Sequence, residues 1–237
     1  MRIEEARILV VDDELELLEI FAAWLGRSGC EVFTAPNGAE ALKILQSEQI
    51  DVLISDIRMP IMDGVTLVRQ INEKEIVPPK ILFVSGYGNI SRREIHGLGV
   101  EALLDKPLSR QDLLQAMDRC LSDSTIKWLT PSTEPMDLNA SLDMASLEKA
   151  LATHAFTLGR GGCSLDCTLP LKEGERIDLS LRFAKEGLSL EAQGTVLWVD
   201  SDRGKAGVAF DYLSPECREW ILSRIEKEAP RCFVPSC

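Results

Sequence analysis

The 237-residue sequence has no uninterrupted apolar stretch near the ~20 residues that a membrane helix needs, so no insertion into a bilayer is expected. It also lacks a basic surplus, because 38 acidic side chains oppose 26 basic ones for a formal net charge of −12. The deficit is shared: residues 1–121 carry 13 basic and 20 acidic side chains, and residues 122–237 carry 13 and 18. A domain that binds nucleic acid neutralises phosphates with a local excess of Lys and Arg, so no nucleic-acid partner is expected. The start, Met1-Arg2-Ile3-Glu4-Glu5, is acidic and runs into a strand-like segment, unlike a signal peptide, and a cytoplasmic location is expected. Histidine is scarce, with two in the chain. His96 has no acidic or cysteine partner at ligand spacing and is expected to be a surface residue of a helix.

What is present favours packed domains. Apolar residues make up 45% of the chain, enough for real cores, and the length suits two small domains. Seven cysteines are an odd number without an export signal, so they read as reduced thiols. Cys163 and Cys167 look like a pair, but Cys163, Leu165, Cys167 and Leu169 alternate with other residues along one strand. Four strand residues span ~13 Å, whereas bridged cysteines need Cα atoms within ~7 Å, so both are expected to be core thiols.

The first 121 residues alternate short apolar runs with amphipathic segments. The runs are Ile8-Leu9-Val10-Val11, Val32-Phe33, Val52-Leu53-Ile54, Ile81-Leu82-Phe83-Val84 and Ala102-Leu103-Leu104. Most are continuously apolar, as in strands covered on both faces. Asn37 with Glu40, and Ser109 with Asp112, have the spacing of capping boxes at helix starts. Strand–helix alternation through five strands predicts an α/β doubly wound parallel sheet.

Ligands of such sheets bind beyond the carboxyl ends of the strands. Asp12 and Asp13 follow the first run, Asp56 ends the third, Ser85 ends the fourth, and Lys106-Pro107 follows the fifth. Three carboxylates, a hydroxyl and an ammonium therefore converge from distant segments. This set suits phosphoryl transfer to a carboxylate. The clustered carboxylates need a divalent cation, and hard oxygen ligands select Mg²⁺, which would neutralise phosphoryl oxygens. A Lys would pair with the phosphate and a Ser hydroxyl would hydrogen-bond to it.

The residues Ile8 to Glu14, the run Asp56-Ile57-Arg58-Met59-Pro60-Ile61-Met62-Asp63-Gly64, Val84-Ser85-Gly86 and Asp105-Lys106-Pro107 resemble the receiver domain of two-component response regulators over about residues 5–121. The resemblance implies a flavodoxin-like fold with Asp56 as phosphoacceptor. It implies Mg²⁺ ligands from Asp12, Asp13, Asp56 and the Arg58 backbone carbonyl, with Ser85 and Lys106 reading the phosphoryl group. It also implies a cis peptide before Pro107. One departure is Leu103, three residues before Lys106, where many members carry Tyr or Phe; Tyr87 is read as an exposed loop aromatic. Arg92 and Arg93 fall on the face that such domains use for partners, with a solvated helix face as the default.

Residues 122–152 read as a linker with a short helix. Ser122 to about Asn139 is rich in breakers, with Trp128 as an anchor packed on a domain. Met144, Leu147 and Leu151 suggest a helix over 141–152 that docks on the next domain or mediates a homodimer. The period then changes to two over Ile177–Phe183, Leu188–Trp198 and Ala206–Tyr212, which predicts a small antiparallel β-barrel. A C-terminal helix follows, with Ser214 as N-cap and Pro215 at its first position.

Leu171–Ile177, Gly194–Val199 and Ala206–Phe210 resemble a PilZ domain, a family that commonly binds cyclic di-GMP; it is expected over 153–237. The family's ligand loop, Asp/Asn-x-Ser-x-x-Gly, aligns with Thr157–Gly162, where Gly162 alone is kept. No Arg-x-x-x-Arg occurs upstream, and Arg160 is the one cation suitably placed for a nucleotide. Cyclic di-GMP binding is therefore disfavoured. The expectation is a response regulator and not an enzyme, phosphorylated on Asp56 by a sensor histidine kinase or phosphotransfer protein, with output through contact with an unknown downstream protein. The alternative is a cyclic di-GMP effector that integrates both inputs.

Overall fold

The computed structural model describes residues 2–74, 78–86, 92–121, 128–133, 135–167, 169–228 and 232–235. Tyr87, read as a loop aromatic, lies outside them, as does the side chain of Arg92. The chain forms two units: residues 1–91 with 98–122, and residues 92–97 with 123–237.

In chain order the first unit runs Arg7–Val11 (β1), Leu15–Gly26 (α1), Glu31–Ala35 (β2), Gly38–Ser47 (α2), Val52–Asp56 (β3), Gly64–Glu73 (α3) and Lys80–Ser85 (β4). Arg92–Gly97 (α4) groups with the second unit, and Val100–Asp105 (β5) and Arg110–Leu121 (α5) complete the first. All ladders of this sheet are parallel, in the order β2-β1-β3-β4-β5. The apolar runs of the three central strands, β1, β3 and β4, are buried on both faces, whereas Val32 and Phe33 of β2 and Ala102, Leu103 and Leu104 of β5, at the edges, are half-buried. Ile8, Val10, Val52, Ile54, Leu82 and Val84 pack with Phe21, Leu25, Leu113 and Met117 of α1 and α5. Leu9, Leu53 and Phe83 are equally buried. The helix starts are capped as expected. Asn37 Oδ1 accepts from the amides of Ala39 and Glu40, both at 3.0 Å. Ser109 and Asp112 form a reciprocal box, with Asp112 N donating to Ser109 Oγ at 3.2 Å and Ser109 N to Asp112 Oδ2 at 3.3 Å.

The second unit continues with Leu138–Met144 (β6), Leu147–Ala152 (α6), Phe156–Leu158 (β7), Gly162–Asp166 (β8), Arg176–Phe183 (β9), Leu188–Asp200 (β10), Lys205–Leu213 (β11) and Pro215–Glu228 (α7). The six strands form one curled sheet in the order β6-β9-β10-β11-β8-β7. Its ladders are antiparallel except for the β6–β9 pair. The inward residues Ile177, Leu179, Leu181 and Phe183 share a core with Leu190, Ala192, Val196, Val208 and Phe210, closed by Cys217 and Ile221 of α7. Trp128 is buried in this core with its ring edge-on to Phe210, centroids 5.9 Å apart, which is the anchoring expected of it. Cys163 and Cys167 are free and buried, as expected of core thiols.

Two expectations are corrected. The helix expected over 141–152 is half strand: β6 takes residues 138–144, and α6 starts at Leu147 behind the N-cap Ser146, whose Oγ accepts from Lys149 N at 3.1 Å. Leu138, Ala140, Leu142 and Met144 alternate with polar residues, and pairing with β9 uses that period of two. His96, expected on the surface, is 3% exposed, because α4 packs against β10 and the Phe233 ring lies 5.9 Å from the imidazole. Next to it, Arg93 is ion-paired with Asp200 and lies 5.4 Å over the Trp198 ring, so its side chain is committed within this unit.

Candidate functional site

The strand order reverses between β1 and β3, and the sequence-expected residues meet at the carboxyl ends of these strands and their neighbours. Asp12 follows β1 directly; its amide donates to Ala35 O at 3.3 Å, and its Oδ1 accepts from Glu14 N at 3.0 Å. Asp56 ends β3, and its Oδ1 accepts from Ile57 N at 2.7 Å. The chain then turns sharply. Gly64 N donates to Ile57 O at 2.9 Å, and a Cβ at position 64 would strike the carbonyl of Asp56. The residue after the α3 N-cap Asp63 must therefore be glycine for β3 to end at Asp56 as it does. Arg58 lies on this turn with its side chain exposed.

Ser85 ends β4 and is buried, and its carbonyl accepts from Lys106 N at 2.7 Å, which brings the lysine backbone beside it. The Lys106-Pro107 peptide is cis, as the resemblance implies. Lys106 Nζ then reaches Asp12 Oδ2 at 2.8 Å, Asp56 Oδ2 at 3.5 Å and Glu14 Oε1 at 3.6 Å. Ligand oxygens of Asp12, Asp13 and Asp56 all lie within 4.8 Å of one another. Asp12 is 1% exposed, and Asp13 opens to solvent.

Such a cluster is electrostatically incomplete. Burial pushes the Asp56 carboxyl above its ordinary range and Asp12 adds to this, while Lys106 and the Ile57 amide oppose it. Burial works against the Lys106 ammonium, but its bond to Asp12 and the charges of Asp12, Asp56 and Glu14 raise it overall. One ammonium faces four carboxylates. A small, hard divalent cation on Asp12, Asp13 and Asp56 fits this donor set, and Mg²⁺ matches the all-oxygen chemistry. Glu14 is the participant that the sequence reading did not single out; its adjacency to Asp12-Asp13 was the available signal.

Arg160 stands apart from this site, in the loop between β7 and β8 of the second unit. Its amide and that of Gly161 donate to Cys232 O and Phe233 O of the chain's own C-terminal segment, both at 2.9 Å. Among the described residues, no helix is long and apolar enough to cross a membrane.

The family model of the response regulator receiver domain matches residues 8–118, and that of the PilZ domain matches residues 136–227. The transcriptional regulatory protein GlrR of Escherichia coli (strain K12) is 36% identical over 120 residues, covering 50% of this chain and 27% of GlrR. The alkaline phosphatase synthesis transcriptional regulatory protein PhoP of Bacillus subtilis (strain 168) is 30% identical over 128 residues, covering 54% of this chain and 52% of PhoP. The chain thus spans about half the length of these curated relatives or less. Among solved structures, a response regulator receiver domain protein from Clostridium thermocellum is 32% identical, covers 49% of this chain and 94% of its own, and superposes with a TM-score of 0.46.

Proposed function

We propose that this chain, a response regulator that joins a receiver domain over residues 8–118 to a PilZ domain over residues 136–227, accepts a phosphoryl group on Asp56 and signals through protein contacts of its PilZ domain. The observation that carries the first half is the geometry at the strand ends: three carboxylates within 4.8 Å, with the Lys106 ammonium between Asp12 and Asp56. The donor is a phosphohistidine of a sensor kinase or phosphotransfer protein. The P–N bond to the histidine breaks, the imidazole leaves with the electron pair and takes a proton, and an Asp56 carboxylate oxygen forms the new P–O bond.

The residues divide this work by position. Asp12 and Asp13, with Asp56 and the Arg58 carbonyl, hold Mg²⁺, which when bound offsets the negative charge of carboxylates and phosphoryl oxygens. Lys106, already paired with Asp12, is placed to exchange part of that interaction for a phosphoryl oxygen, and Ser85 supplies a hydroxyl from β4. Both modules are signalling domains, and the chemistry proposed is confined to gaining and losing this group.

For the PilZ half, protein contact is favoured by what the Thr157–Gly162 loop holds. It carries a single arginine, and two of its amides are engaged by the chain's own segment. Two guanines and two phosphates demand more cationic forks than Arg160 offers.

The experiment is labelling of the full chain with acetyl phosphate in Mg²⁺, read on a phosphate-affinity gel, beside calorimetric titration with cyclic di-GMP. Wild type should label, and Asp56→Asn and wild type in EDTA should not. Labelling of Asp56→Asn at the wild-type rate would refute the assignment, and micromolar binding of cyclic di-GMP would replace the protein-contact output with a two-input switch.

A further inference from the structure

The loop joining β7 to β8 contains Gly159 and Gly161, Gly162 opens β8, and none of the three has a left-handed backbone. Glycine costs conformational entropy on folding, so three in four residues without a positive φ call for another reason. The reason is close approach. A Cβ at 159 would strike the Phe233 carbonyl, and one at 161 would fall inside the Phe233 ring. One at 162 would come within 2.7 Å of Val234 Cγ2 and would also strike the Val208 carbonyl.

The loop is braced from behind and open for pairing in front. Gly159 N donates to Gly162 O at 2.8 Å, and Phe210 N of β11 donates to Gly161 O at 2.8 Å. On the other side Arg160 N and Gly161 N donate to Cys232 O and Phe233 O, so two successive amides of a fixed backbone read two successive carbonyls of a visiting one. Phe233 N in turn donates to His96 O at 3.1 Å, and Val234 is fully buried. Where a peptide is recognised through its backbone, main-chain bonds give affinity and recesses for its side chains give specificity. β7, which leads into the loop, is the terminal strand of its sheet.

We propose that Gly159–Gly162 is a peptide-docking cradle and that Cys232–Pro235 is its built-in occupant, an exchangeable strap. The partner chemistry it fits is a segment with the pattern of Cys232-Phe233-Val234-Pro235, bent at Phe233 and Val234: an aromatic side chain against glycine, then a small aliphatic one buried beyond it. This names the surface for the protein-contact output and in that respect rests on the proposed reading. The binding test below needs neither phosphorylation nor a natural partner, so the two fail separately.

A strap tethered to α7 is present at an effective concentration on the order of millimolar, so a free peptide at micromolar concentration competes poorly while the strap is in place. The probe is a fluorescein-labelled peptide of residues 230–237 with Cys232→Ser and Cys237→Ser. It is titrated into the full chain, into the chain ending at Glu228, and into that shortened chain with Gly161→Ala. Saturable anisotropy is expected with the shortened chain, at least about tenfold weaker with the full chain, and at least about tenfold weaker with Gly161→Ala. No binding to a shortened chain that keeps its β circular dichroism, or equal binding to shortened and full chains, would overturn the proposal. Should the shortened chain not fold, amide exchange at Arg160 and Gly161 is measured in full chains carrying Phe233→Ala or Gly161→Ala. A local rise in exchange of about tenfold or more supports the strap. Unchanged protection, or a loss that spreads through β10 and β11 as for ordinary core, refutes it.

Discussion

Replacing Lys106 by methionine keeps the aliphatic stem and removes the one positive charge among Asp12, Asp56 and Glu14. Removing one member of a buried ion pair costs about 3–5 kcal/mol, because the other charge stays buried without compensation. Lys106 is 18% exposed although Asp12 is sealed, so water recovers part of the loss and about 2 kcal/mol is expected in EDTA. Mg²⁺ should then rescue the variant more than it helps wild type, since the cation supplies the charge that the lysine no longer does. Only the difference in RT ln(1 + [L]/Kd) between the two proteins narrows the gap, so Mg²⁺ that binds the variant at least about fivefold more tightly than wild type brings it to about 1 kcal/mol or less at saturation. The assay is amide exchange of β1 and β3 peptides in the full chain, with EDTA or saturating Mg²⁺, which reads opening of the first unit separately from the second. A wild-type-to-variant gap that is the same with and without Mg²⁺ would show that lysine and metal do not share the carboxylates. A variant as stable as wild type in EDTA would show that the ammonium is not compensating buried charge.

Gly207→Ala would drive a Cβ into the buried Trp198 indole, and overpacking of this kind should cost about 2–3 kcal/mol, measured as a lower urea midpoint of the Trp fluorescence transition; an unshifted midpoint would refute it. The Cys217 thiol is pushed up to about 12 by burial, so its contribution is fully present below the ordinary thiol value of 9.0 and is lost as pH rises from there towards 12. At pH 10 this amounts to about 1 kcal/mol, visible as a steeper decline of stability between pH 8 and 10 in wild type than in Cys217→Ala, and parallel declines would contradict it.

The receiver half was legible because its information is local. The central strands β1, β3 and β4 are continuous apolar runs, and each site residue ends or follows a strand, so the parallel-sheet rule alone brings Asp12, Asp56, Ser85 and Lys106 together. The half-buried strands β9, β10 and β11 show the period of two over eight or more residues and were equally readable. β6 was not, because Ala140 is its one fully buried residue and Met144 also fits the spacing of the helix that follows. His96 was misplaced for a related reason: a six-residue helix has too few positions to reveal which sides are covered, and the groups that cover this one come from β10 and from Phe233, more than 100 residues away.

The Thr157–Gly162 loop shows what a motif comparison leaves behind. Set against a nucleotide loop, it keeps one glycine and loses the acidic and hydroxyl positions, and it reads as decay. The backbone says otherwise. Three glycines without a positive φ, a brace to β11 and two amides aimed at Cys232 and Phe233 form a surface shaped by β11 at Gly162 and by the Cys232–Val234 segment at Gly159 and Gly161. A loop that had merely lost a ligand would have no reason to keep Gly159 and Gly161, since either position could accept a Cβ once nothing lay against it. Restoring an aspartate at position 157 or an arginine upstream should therefore not by itself create a nucleotide site, because Phe233 and Val234 already lie against the glycines.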